Sequence, residues 1–161
     1  MKSSGRITDV YGEHMLCDEV RHVSVNEKSA ELFCQLKMYD TERQKKYSKW
    51  NFCGCLIKIK GITHSENLFC CNEKTFHRMI PEEYSKIGKI KGFHVYSDSM
   101  DYDKESLADL LNRMEKTVCN VLSYTYAISL MENEMSLVFW NLDLYPAEVV
   151  EEQLRELLKN L

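Results

Sequence analysis

The chain has 161 residues, 44% of them apolar, 11% aromatic and 29% charged in both signs, which supports one folded domain with its own core and excludes a disordered chain. A net charge of −4 gives no global pull toward nucleic acid or an anionic membrane, and apolar runs such as "SLVFW" are far too short to span a bilayer. Nothing at Met1 reads as a signal peptide, and seven cysteines in no framework spacing fit reduced thiols in the cytoplasm or nucleus.

Residues 1–28 lack clean periodicity, and "EHMLCDEVRHVSV" reads as a short helix or an irregular N-terminal arm. From Glu31, "ELFCQLKMYD" alternates as a half-buried strand. Leu32, Cys34, Leu36 and Met38 are expected on one face, with Glu31, Phe33, Gln35, Lys37 and Tyr39 on the other. "TERQKKYSK" is a charged connection. "WNFCGCLIKIK" alternates again, grouping Cys53, Cys55, Ile57 and Ile59 and sending Lys58 and Lys60 to the opposite face. "GITHSE" turns the chain and "NLFCC" resumes it. "NEKT" is polar enough for a hairpin tip before "FHRMI", and "GFHVYS" forms a further strand after the break at Pro81 and Gly88.

The stretch from Asp103 changes period. Leu107, Leu110, Leu111, Met114, Val118, Val121 and Leu122 recur at three and four, the stripe of an amphipathic helix with Asp103 as its N-cap. Strands return at 124–130 and in "MSLVFWNL", and "YPAEVVEEQLRELLKNL" closes the chain as a helix with Pro146 at its first position. The pattern predicts an α+β fold: a curved antiparallel sheet or partly open barrel, capped by the C-terminal helix. Residues 29–161 form one domain with a helical insertion at about 103–122, preceded by the arm at 1–28.

The cysteines invite three readings: metal, reactive thiol, or small apolar residue. Cys53 and Cys55 share a strand face with isoleucines, and adjacent Cys70 and Cys71 point to opposite faces of a strand, so neither pair suits a tetrahedral zinc site. His14, His22, His64, His77 and His94 show no catalytic or ligand spacing. "DSMDYDKE" lacks the central glycine and final glutamate of a calcium loop, with Ser106 and Asn112 in their places. No phosphate-binding glycine loop or nucleophile elbow is present. No cofactor, metal or catalytic residue is therefore assigned. Arg43, Lys45, Lys46, Lys49, Lys58 and Lys60, with Tyr47 and Trp50, form a basic segment that a nucleic-acid reading would use.

"AELFCQLKMYD", a charged hairpin, a tryptophan opening "WNFCGCLIKI", and a final amphipathic helix together resemble the pleckstrin-homology superfold. Within it, Glu31-Leu32-Phe33, Lys37-Met38-Tyr39, Trp50 to Gly54, "LFCCNEKTFH" and "MSLVFWNLDLYPAEVVEEQLREL" are similar to the Ran-binding domain family. In place of that family's Arg-Gly the chain has Phe52-Cys53-Gly54. "AELFCQLKMYD", Trp50, "GCLIKI" and "SLVFW" followed by an acidic, leucine-rich helix also resemble the regulatory subunit of the messenger-RNA decapping enzyme, whose N-terminal docking helix would correspond to residues 9–22. Both resemblances imply a non-catalytic protein-binding module, acting in nucleocytoplasmic transport or in mRNA decapping. The partner would be a small GTPase or the decapping catalytic subunit. The expected contact residues are Tyr39, Trp50, Lys58, Lys74, Arg78 and Trp140.

Overall fold

Runs of alternating apolar residues pair most stably when both faces of the resulting sheet find cover, and here nine strands join one antiparallel sheet. The computed structural model describes residues 15–39, 51–62, 67–117, 125–131, 134–140 and 146–161. In chain order the strands are β1 (Met15–Leu16), β2 (Glu19–Val25), β3 (Lys28–Tyr39), β4 (Asn51–Lys60), β5 (Leu68–Cys71), β6 (Ser85–Ile90), β7 (Phe93–Ser97), β8 (Tyr126–Met131) and β9 (Glu134–Trp140). Across the sheet they run β1-β3-β4-β9-β8-β5-β7-β6, and β2 continues the line of β1 along the same edge of β3. Among the described residues no pairing joins β2 to β6, so the sheet is open.

The two faces have separate cores. On the front face, Leu32, Cys34, Cys55, Ile57, Cys70, Ile128 and Leu137 pack under two helices. The rear face buries Leu36, Leu56, Phe69, Cys71, Ala127 and Val138 against Phe76 and Met79. The first front helix is α1 (Lys104–Lys116), whose N-cap Asp103 accepts from the Ser106 amide at 3.1 Å. It contributes Leu107, Leu111 and Met114 to the core, so the expected insertion is half of the front cover. Residues 118–122 of that expectation lie outside the described residues. The second is α2 (Ala147–Asn160), which follows Pro146 and buries Val150, Leu154, Leu157 and Leu158. Full burial of such a leucine is worth about 1.5–3 kcal/mol. Among the described residues no helix is long and apolar enough to cross a membrane.

Arg21 on β2 fixes the start of α2. Its guanidinium reaches Glu19 at 2.7 Å, Glu148 at 2.9 Å and Glu151 at 3.3 Å.

Four expectations from the sequence change. Residues 15–28 enter the sheet instead of forming an arm or short helix, while residues 1–14 lie outside the described residues. The cause is a two-residue loop, Asn26–Glu27, in which Asn26 takes φ 57° and folds β2 back onto β3. "FHRMI" is not a strand, because Lys74–Met79 is a 3-10 helix. Its three-residue turn puts Phe76 and Met79 on one side, and both are buried in the rear core. Gly88, expected to break the chain, lies inside the edge strand β6, which Lys91 and Gly92 with φ 50° and 84° join to β7. Gly88 within it lets Tyr102 approach closely: a Cβ there would stand 2.5 Å from the Tyr102 hydroxyl, which would have to move aside.

The fourth change is in β3. Phe33 pairs with Leu56 but Leu36 pairs with Gly54, so β3 holds one extra residue. Gln35 absorbs it with φ 51°. As a result Leu32 and Cys34 face the front while Leu36 faces the rear, not the common face expected for them. The side chain of Met38 lies outside the described residues.

Gln35→Val is expected to destabilise the chain by about 1–2 kcal/mol in urea unfolding, although valine is the better strand former, because a β-branched residue resists left-handed backbone. A neutral or stabilising result would mean that β3 is regular there. Glu148 is held below the usual carboxylate range, first by backbone hydrogen bonding and then by Arg21. A lowered folded value stabilises above the unfolded value and loses that contribution as pH falls through the folded one. Urea midpoints of Arg21→Met are therefore expected to be lower near neutral pH and to fall less steeply in acid than those of the native chain.

Candidate functional site

Strand register lays the rear face out in rows. One row runs Glu31–Lys58–Ser136–Ser129–Phe69–Tyr96–Lys86, and the next Phe33–Leu56–Val138–Ala127–Cys71–His94–Lys89. The 3-10 helix covers part of these rows with Phe76 and Met79. Phe33, Tyr84, Tyr96 and Trp140 pack against the rear core yet stay half-buried.

The expected contact residues can now be located. Lys58 lies on β4 with its ammonium 5.8 Å from the centre of the Phe33 ring. Trp140 ends β9 on the same face; it pairs with Gly54 and sits four residues beyond Ser136, the partner of Lys58, which is about 13 Å along the strand. Lys74 and Arg78 both belong to the 3-10 helix that covers this face; Lys74 is exposed and Arg78 half-buried. Four of the six therefore belong to one side of the sheet. Trp50 lies outside the described residues, and only the backbone of Tyr39 is described, at the end of β3. Phe33 was missed by sequence reasoning. The available signal was a large apolar side chain at a position that alternation assigns to the polar face.

Toward β6 the rear face becomes basic. His94 is held below its ordinary pKa by burial first, then by Lys86, Lys89 and His77. His77 Nε2 lies 3.5 Å from the Tyr96 hydroxyl, with the two rings edge to face.

A thiol–histidine reading would use Cys71, which stands directly across from His94 in the β5–β7 ladder. Burial opposes it. Cys71 is fully buried and its thiol is pushed up to about 11, chiefly by desolvation. Burial likewise raises Cys34 to about 11 and drives Cys55 and Cys70 upward. Such groups are thiols at neutral pH, not nucleophiles. Cys34, Cys55, Cys70 and Cys71 pack between layers, as the small-apolar reading expects, with Cys70 on the front face and Cys71 on the rear, while the side chain of Cys53 lies outside the described residues. Among the described residues no group of three or more His, Cys, Asp or Glu is placed to hold a metal ion.

Among the described residues the front face carries a cleft of about 400 Å³ between α1, the end of α2 and the sheet, walled by Leu107, Leu110, Met135 and Leu161. Its rim cations already serve the helix. Lys28 donates to the Leu161 carbonyl, and Arg113 to the Asn160 carbonyl at 3.1 Å, offsetting the negative end of α2. Of the basic segment weighed for nucleic acid, Lys58 and Lys60 lie on β4 and the cations of 43–49 lie outside the described residues.

Alkylation of the native chain at pH 7.5, read by mass spectrometry, is expected to modify half-buried Cys17 before Cys34, Cys55, Cys70 or Cys71. The last four are expected to react only on unfolding, and rapid native labelling of Cys71 would restore the thiol–histidine reading. Comparison with family models, with curated proteins and with solved structures gives no match to this chain.

Proposed function

We propose that the chain is a non-catalytic protein-binding module, acting in the cytoplasm or nucleus through the rear face of its sheet. The observation that carries this reading is the Lys58–Phe33 pair on a half-covered face shared with Trp140, while two helices close the front. Aromatic and cationic side chains of this kind anchor protein interfaces because they bury large area and desolvate well. A kinship with the pleckstrin-homology superfold is supported by the antiparallel sheet and by the final helix lying on it. One feature departs from a hairpin-by-hairpin sheet: β4 is flanked by β9, and β5 lies three places away. The partners implied by the sequence resemblances, a Ran-type GTPase or the decapping catalytic subunit, are the first to test.

Titration calorimetry with GTP-loaded Ran, GDP-loaded Ran and the decapping catalytic subunit separates these readings. GTP-selective Ran binding supports the first, and binding to the catalytic subunit supports the second. Equal or absent binding to both Ran forms removes the first, and no heat with the catalytic subunit removes the other. For whichever partner binds, Phe33→Ala and Lys58→Glu are each expected to weaken affinity by about 1–3 kcal/mol. Unchanged affinity in both variants would sink the rear face as the site.

A further inference from the structure

The two edges of the sheet are built differently. Edge strands expose unpaired main-chain groups, and proteins blunt them with lysines, bulges or proline. β6 has such protection: Lys86 and Lys89 are exposed, and the register slips between Lys86 and Gly88. β2 has none of it. It runs seven residues in unbroken register from Val25↔Lys28 to Glu19↔Cys34, with no lysine and no proline. Among the described residues β3 is its only strand neighbour.

Turn geometry identifies the free groups. A two-residue loop makes Val25 and Lys28 the first hydrogen-bonded pair, and such pairs alternate along an antiparallel ladder. Arg21, Val23 and Val25 therefore bond toward β3. The N–H and C=O groups of Val20, His22 and Ser24 point away from it.

We infer that the β2 edge takes up an extended segment of another polypeptide, added as a further antiparallel or parallel strand, in which apolar and basic residues alternate. This rests on the reading of the chain as a protein-binding module and names the chemistry of what it binds. The alternation follows from the two faces. On the rear, Val20 stands across from Phe33 and ends the apolar row Phe33–Leu56–Val138. Val20 is 42% exposed, and the only other large apolar residue so exposed among the described residues is Met100. A neighbouring apolar side chain would extend that row and cover Val20. On the front, Glu19, Glu148 and Glu151 gather around Arg21, and Glu151 also pairs with Arg155 at 3.6 Å, which leaves three carboxylates to two guanidiniums beside the edge. Basic side chains on the incoming strand would balance them. A second copy of this chain fits poorly. Two-fold pairing of β2 with itself would set both groups on the same front side, each with three carboxylates to two guanidiniums, so the excess of negative charge would double instead of being balanced.

The test uses a fluorescein-labelled peptide of four Lys-Val repeats against the full chain, followed by anisotropy, with a Glu-Val peptide as the comparison. The Lys-Val peptide is expected to bind roughly tenfold or more tightly than the Glu-Val peptide, a difference of about 1.4 kcal/mol. His22→Pro, which removes an outward N–H at a position where an edge strand tolerates proline, is expected to weaken binding roughly tenfold. Amide hydrogen exchange on the native chain gives a second readout that needs no variant: the peptide is expected to slow exchange at Val20, His22 and Ser24. Equal binding of the two peptides overturns the basic preference. Protection at β6, or on the rear rows instead of at those three amides, overturns the edge assignment. If the edge fails while Phe33→Ala and Lys58→Glu still weaken a protein partner, the binding-module reading stands without it.

Discussion

β3 carries twelve residues through the sheet, and at Gln35 its backbone turns left-handed to hold one more residue than β4 can match. Cys34 and Gln35 together oppose Cys55, and every side chain beyond them exchanges faces. The exchange delivers Leu36 to the rear core, beside Leu56 and Val138, where full burial of a leucine is worth about 1.5–3 kcal/mol. Phe33, just before the bulge, already faces the rear, so both residues serve that side. The left-handed residue itself is exposed, and its conformational cost of about 1–2 kcal/mol is offset by what it lets the rear face bury. Along the other edge of β3 the ladder with β2 and β1 keeps one register throughout, so the bulge reorients the strand without releasing the N-terminal hairpin.

With the rear core in place the sheet needs cover on both faces, and the two covers are unequal. Two amphipathic helices close the front, whereas a six-residue 3-10 helix covers the rear. β5, two places in from the β6 edge, is buried on both sides at all four positions. Away from it the rear cover thins, and Phe33, Tyr84, Tyr96 and Trp140 are left half-buried. Among the described residues the aromatic and cationic surface lies where the 3-10 helix does not reach. The same layering fixes the thiols. Cys70 and Cys71 fit where layers come close on either side of β5, and the desolvation that suits them to packing keeps them protonated.

The helices were legible because their signals are local: a capping aspartate, a leucine stripe at three and four, and a proline at the start. So was the existence of most strands. What sequence could not supply were features decided by distant contacts. Face assignment failed beyond Gln35, since nothing in "FCQLKM" marks a glutamine that turns left-handed to meet a partner strand twenty residues away. "FHRMI" has strand composition but serves as a lid, a choice that the rear core imposes through Phe76 and Met79. The order of strands was equally hidden, because β4 pairs with β9 across most of the chain. Lys58 and Trp140 were found as candidates by residue type. Phe33 was not, because its role comes from the lysine that the β3–β4 register sets over its ring.

The two edges also differ in charge. Beside β2 the carboxylates of Glu19, Glu148 and Glu151 outnumber Arg21, while β6 presents Lys86 and Lys89 with His94 close by. Charge alone would therefore favour copies joining β2 to β6, a head-to-tail contact that does not close and so extends into a filament. The slip in register between Lys86 and Gly88 opposes this, because a strand laid along β6 meets an interrupted row of donors and acceptors. Bulge and lysines on β6 act against self-assembly, and among the described residues β2 keeps the regular row of outward main-chain groups that the proposed strand addition requires. The asymmetry is what a sheet requires if it is to present one pairing edge without polymerising through the other.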